Sequence, residues 1–173
     1  MPNKKLIPFT GDLSNHISEA VSAGYIRELK INEDWMSYRH PDFPFDSASL
    51  QEGRLNSSGE EAFYIASGDY CGKLEVPKHY ERVKCDVNIE SINVFDLHSF
   101  AVDYGYGDAF LKSEEEGGWT IGQTASNLLT KQHGVTGILY QSAACQNSGV
   151  TGFCMVVLPD SYQKIAKDFF REL

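Results

Sequence analysis

The chain has 173 residues, 42% of them hydrophobic, which suits one compact domain with a sizeable core. Its formal net charge of -9 argues against a broad nucleic-acid or anionic-membrane surface and sets a mild long-range repulsion against anionic substrates. A phosphate site must therefore be built locally from a few arginines and backbone amides.

After a short basic start from Met1 to Lys5, Asp12 is a candidate helix N-cap. Leu13, Ile17, Ala20 and Val21 follow helical spacing, and Gly24 ends the segment. Residues 31–51, with Pro41 and Pro44, read as irregular and partly extended. The apolar run 62–66 predicts a short buried strand, and 69–75 predicts one or two helical turns stopped by Pro77, with Gly72 as a weak point. Val83, Cys85, Val87 and Ile89 alternate with polar residues, the period of a strand, and 92–97 predicts a second. The Gly- and Glu-rich stretch 103–118 predicts a surface loop.

Thr120 and Gln123 have capping-box spacing. Ile121, Ala125, Leu128 and Leu129 then mark one face of a helix that Gly134 closes. Strands are expected at 137–140 and 151–158, and Asp160 would cap a last helix with Ile165, Phe169 and Leu173 inward. The mixture predicts an α+β fold, with strands too unevenly spaced for a doubly wound sheet. No secretory signal or membrane-spanning apolar run is visible, so a cytoplasmic location is expected.

Cys71, Cys85, Cys145 and Cys154 contain no C-x-x-C pair, and no histidine cluster completes a zinc pattern. They read as reduced, packed thiols, and no metal is expected. Arg54, flanked by Gly53, can approach a phosphate closely and bind two of its oxygens. Arg39 is a second candidate, although a lone loop arginine is ordinarily a solvated surface residue. Glu75, after a strand and a turn, can stabilise the cationic sugar formed when a glycosidic bond breaks; its bland alternative is a solvated helix-end glutamate. Ser142 follows an apolar strand and suits a positioning hydroxyl better than a nucleophile. Tyr38 and Tyr64 can stack on a nicotinamide or adenine ring, or be half-buried core. A Cys145–His133 thiol–base pair has no support in spacing. Glu114, Glu115 and Glu116 read as a solvated charge run, and Tyr104-Gly105-Tyr106-Gly107 lacks the glycine pattern of a dinucleotide fold.

The order of these signals resembles the RES domain, a family named for its arginine, glutamate and serine. The matching pieces are Arg39, Gly53-Arg54-Leu55-Asn56, Ala62-Phe63-Tyr64-Ile65-Ala66, Glu75, Val94-Phe95-Asp96-Leu97, and Gly137-Ile138-Leu139-Tyr140-Gln141-Ser142. The chain departs from the family at Leu55, usually aromatic; at Ser57 and Ser58, where prolines are common; and at Ala143 and Ala144, where many members carry an arginine.

The resemblance implies a single domain like the ADP-ribosyltransferase toxins, with central mixed β-sheets and flanking helices. Residues 1–37 would form an N-terminal helical segment packed on a catalytic region, 38–173. It also implies a toxin that cleaves the nicotinamide–ribose bond of NAD, which is substrate rather than cofactor, by hydrolysis or phosphorolysis. Transfer of ADP-ribose to a protein is the alternative activity, and a non-catalytic binding or immunity module a further one. The implied partner is an Xre-type antitoxin. Carried over, Arg39 and Arg54 would hold the pyrophosphate or nicotinamide-side ribose, with Tyr38 and Asn56 also at the substrate. Tyr64 would stack near the nicotinamide, Glu75 would support the oxocarbenium, and Ser142 would orient the ribose.

Overall fold

The structure, a computed structural model, describes residues 10–30, 35–39, 53–57, 62–75, 83–87, 91–157 and 170–172. The fold is α+β. Its elements are α1 (Thr10–Ser22), β1 (Ile26–Lys30), β2 (Trp35–Arg39), β3 (Phe63–Ser67), α2 (Asp69–Glu75), β4 (Val83–Val87), β5 (Ser91–Asp96), α3 (Leu97–Asp103), α4 (Gly118–His133), β6 (Gly137–Gln141), α5 (Ala143–Asn147), β7 (Phe153–Val157) and β8 (Phe170–Glu172). The eight strands among the described residues form one mixed sheet in the order β1-β5-β6-β7-β3-β2-β4-β8. Only the β5–β6 pair is parallel among the described pairings. A parallel pair needs a long crossover, which α3 and α4 supply.

The central strands are apolar on both faces. On one, Tyr64, Phe95, Ile138, Tyr140, Cys154 and Val156 meet the helices, including the fully enclosed Leu13 and Ile17 of α1 and Ala125 and Leu129 of α4. On the other, Trp35, Phe63, Ile65, Val94, Leu139 and Met155 form a second cluster. The two-residue period of a strand sends neighbours such as Leu139 and Tyr140 into different clusters. β1 lies at the sheet edge against β5, and β2 spans position 37 and joins β3 to β4.

Several local expectations change. α1 starts at Thr10, so Asp12 sits in the first turn, where its charge still favours the helix N-terminus. α4 has no side-chain cap: Gly117, at φ 87°, turns the chain and Thr120 lies inside the helix. A side chain is impossible at the next residue, because a Cβ on Gly118 would stand 2.0 Å from the Lys112 carbonyl oxygen. The sequence reading gave α3 no signal, yet Asp96 caps it by accepting from Ser99 N at 3.0 Å. Arg27 Nε, from β1, donates to Asp96 Oδ2 at 3.1 Å.

The stretch 103–118 is not purely a surface loop. Tyr106, Ala109 and Phe110 are buried, and Phe100 stacks between Tyr104 and Tyr106 at 4.8 and 5.2 Å. The expected last helix does not reach the end of the chain, since residues 170–172 pair as a strand with β4, an edge that would otherwise expose its hydrogen-bonding groups. The rest of that helix, 160–169, lies outside the described residues, as do most of 31–51. No helix among the described residues is long and apolar enough to cross a membrane.

Candidate active site

Sheet order brings the site together. β3 and β6 are both antiparallel to β7, so they run the same way and their C-terminal ends lie at one edge. α2 leaves β3 there and carries Glu75; Ser142 follows β6 there and caps α5. Cys154, near the start of β7, lies between Ala66 of β3 and Tyr140 of β6. Glu75 and Ser142 therefore meet: the Ser142 hydroxyl donates a short hydrogen bond to Glu75 Oε1. Ser142 Oγ also accepts from Cys145 N at 3.0 Å. Ser142 is fully enclosed whereas Glu75 is exposed, so the serine stands behind the carboxylate and holds it.

Arg54 reaches the same place from a different element. Gly53 N donates to Asn56 O at 3.0 Å, closing a tight turn. Tyr64 clamps it: its hydroxyl donates to Asn56 Oδ1 at 2.5 Å and accepts from Leu55 N at 3.1 Å. Gln123 Nε2, the residue expected in a capping box, instead donates to Gly53 O at 2.9 Å. A Cβ on Gly53 would lie 2.7 Å from Asn56 Oδ1 and 2.9 Å from the Tyr64 hydroxyl, so a side chain there would displace the Tyr64–Asn56 hydrogen bond that clamps the turn. A Cβ on Gly122 would come within 2.3 Å of the Arg54 carbonyl oxygen, so α4 also needs glycine to receive the turn. The guanidinium Nη1 donates to Phe110 O at 2.7 Å and Lys112 O at 2.6 Å. These acceptors are neutral, so they orient the charge without cancelling it, and Arg54 has no carboxylate partner among the described residues.

A cleft of about 470 Å³ is lined by Arg54, Tyr64, Glu75, Trp119, Tyr140, Ala143, Ala144, Asn147 and Cys154, among others. That is the size of a small-molecule site. Tyr64 and Tyr140 meet edge to face, with ring centroids 6.4 Å apart. Trp119 and Asn147 were missed by the sequence reading; the signal for Trp119 was a large aromatic one residue into a helix. Arg54 also borders two neighbouring cavities, of about 240 and 400 Å³. Arg39 and Tyr38 lie on the β2 backbone opposite Val83 and Lys84, and their side chains are outside the described residues. Asn56 is 1% exposed, and its place in the turn explains its presence in the motif.

Three buried thiols adjoin the pair. Cys154 Sγ lies 3.4 Å from Glu75 Oε1, and the ligand atoms of Cys71, Glu75 and Cys154 all fall within 4.8 Å of one another. Cys154 is held well above the usual thiol range by its hydrogen bond with Cys71, by burial and by the Glu75 charge. Burial is the main reason Cys145 rises to about 11. Cys71 is lowered to about 6, chiefly by the hydrogen bond from Cys154. Cys154 has one proton for two acceptors, so this depression applies when the proton faces Cys71 rather than Glu75. His133 Nε2 bonds Ser18 Oγ at 3.3 Å, and no hydrogen bond joins His133 to Cys145 among the described residues. Glu114, Glu115 and Glu116 are exposed, as a solvated charge run should be.

Comparison with protein-family models, with curated proteins and with solved structures found no match.

Proposed function

We propose that the chain is a RES-type enzyme with an ADP-ribosyltransferase-like fold that cleaves the nicotinamide–ribose bond of NAD. The observation that carries this reading is the Glu75–Ser142 hydrogen bond at a cleft that Arg54 also lines. These are the three residues that the motif resemblance singles out, and they converge from separate parts of the chain.

The chemistry needs little else. Nicotinamide leaves a positively charged NAD ring as a neutral molecule, so no general acid is required. The difficulty is the positive charge left on the ribose, which an adjacent carboxylate stabilises. Ser142 fixes Glu75 in one orientation, so little reorganisation is needed as charge develops. Arg54, braced on two carbonyls, offers its remaining N–H groups to the pyrophosphate. Trp119 and Tyr64 provide aromatic surface for the rings. Water then adds to the ribose carbon, giving nicotinamide, ADP-ribose and a proton; inorganic phosphate in place of water gives ADP-ribose phosphate. Ala143 and Ala144 line the cleft where many family members carry a cation, so Arg54 bears more of the phosphate binding.

In a cell this activity depletes NAD, as expected of a toxin held in check by an Xre-type antitoxin covering the cleft. The test is purified protein with NAD, in the presence and absence of phosphate, with the products separated. Free nicotinamide with ADP-ribose or its phosphate is expected. No nicotinamide release overturns the reading, and stable cellular NAD alongside one strongly labelled protein band replaces it with protein ADP-ribosylation.

A further inference from the structure

We propose that Cys71, Cys154 and Glu75 form an inhibitory site for a thiophilic divalent cation of the zinc class. Cys71 and Glu75 are four residues apart on α2, which puts them on one helix face, and β7 presents Cys154 to that face. Their ligand atoms lie within 4.8 Å of one another, so small side-chain movements bring them to a tetrahedral ion, whose bonds are about 2.3 Å to sulfur and about 2.0–2.2 Å to oxygen. Gly152 lets the sulfurs gather. A Cβ there would stand 2.9 Å from Cys71 Sγ and 2.7 Å from Cys145 Sγ, so any side chain at 152 would push these two sulfurs out of place.

The donor set fixes the class of ion. Two sulfurs select a soft or borderline cation over magnesium or calcium. Two thiols and one carboxylate leave a fourth position open, unlike a closed structural zinc site. Cys145 or water can fill it. Binding takes both sulfurs as thiolates and displaces to solvent whatever protons they carry, so it strengthens as pH rises. The exposed Glu75 gives the ion access to the buried sulfurs. Both Ser142 and Cys154 contact the same atom, Glu75 Oε1, so an ion held by this carboxylate competes with Ser142 for it.

The inhibitory consequence rests on the NAD-cleaving reading, whereas the binding site does not. Cobalt(II) added to the reduced full chain should give a thiolate-to-cobalt charge-transfer absorption at one equivalent, bleached by zinc. Cys154→Ser and Cys71→Ser should each lose most of that absorption, and Glu75→Gln should keep it with at least tenfold weaker affinity. Cys85→Ser, on β4, should leave it unchanged. Circular dichroism checks folding, and either thiol variant suffices if the other does not fold. In the activity arm, one equivalent of zinc should suppress nicotinamide release from NAD at least tenfold, with recovery on chelation. Absence of the thiolate band, or its persistence in both thiol variants, overturns the site. A zinc-loaded protein that still cleaves NAD at the full rate overturns the inhibition alone. A protein that binds cobalt through these thiols but never cleaves NAD leaves the site standing and removes the catalytic reading.

Discussion

Glu75 accepts a hydrogen bond from Ser142 although the two residues are 67 positions apart in the chain. The serine is buried and caps α5, so it can hold the carboxylate without occupying the cleft.

Glu75→Gln tests the charge apart from the geometry. Glutamine keeps an oxygen that accepts from Ser142, so the fold and the cleft should persist. The rate of nicotinamide release should fall on the order of a hundredfold or more, the usual cost of one well-placed electrostatic group. A folded variant that releases nicotinamide at the parental rate removes Glu75 from the chemistry.

Arg54→Lys keeps the charge and loses the planar fork. A lysine cannot satisfy Phe110 O and Lys112 O while presenting paired donors to a pyrophosphate. NAD affinity should drop about tenfold, roughly 1.4 kcal/mol, when titrated calorimetrically in the Glu75→Gln background. Unchanged affinity would leave Arg54 as a brace for the loop beneath it.

Tyr64→Phe separates turn from cleft. It retains the ring and removes the bonds to Asn56 Oδ1 and Leu55 N. Removing a partner from a buried polar group costs about 1–3 kcal/mol. The thermal midpoint should fall by roughly 2–12 °C, the range expected for a chain of this size. An unshifted midpoint would mean that the hydroxyl does not hold the turn.

The alkaline limb of stability should depend on Tyr25. Its hydroxyl donates to Asp103 Oδ2 at 2.5 Å, and this bond, with smaller contributions from burial and the Asp103 charge, pushes its pKa up from 10.0 to about 12. The folded state therefore favours the neutral phenol. The contribution is full below about pH 10, declines between pH 10 and 12, and is gone above. Denaturant unfolding of Tyr25→Phe across that window should show a shallower loss of stability than the parent. Parallel curves would show that the bond does not contribute.

The sequence by itself determined many of the local elements, though not α3 or β8. Apolar runs marked β3, β5, β6 and β7, the spacing of Leu13, Ile17 and Ala20 marked α1, and Gly134, at φ 64°, ended α4 where expected. The α+β class follows from that mixture. Glu75, Arg54 and Ser142 were legible as candidates only through the order of motifs, because a glutamate, an arginine or a serine alone carries no sign of what it faces. Tertiary structure decided the rest. The shared direction of β3 and β6 about β7 is a property of the sheet, and it joins Glu75 to Ser142 and places three thiols beside them. Cysteines at 71, 145 and 154 have no telling spacing, since their meeting depends on α2, α5 and β7 packing together. Gln123 has a capping partner in sequence, but its side chain donates instead to the Gly53 carbonyl, a partner that only the fold supplies. Local patterns report backbone period and turn chemistry, which a few neighbours fix; a site is made by long-range contacts, which only the closed fold supplies.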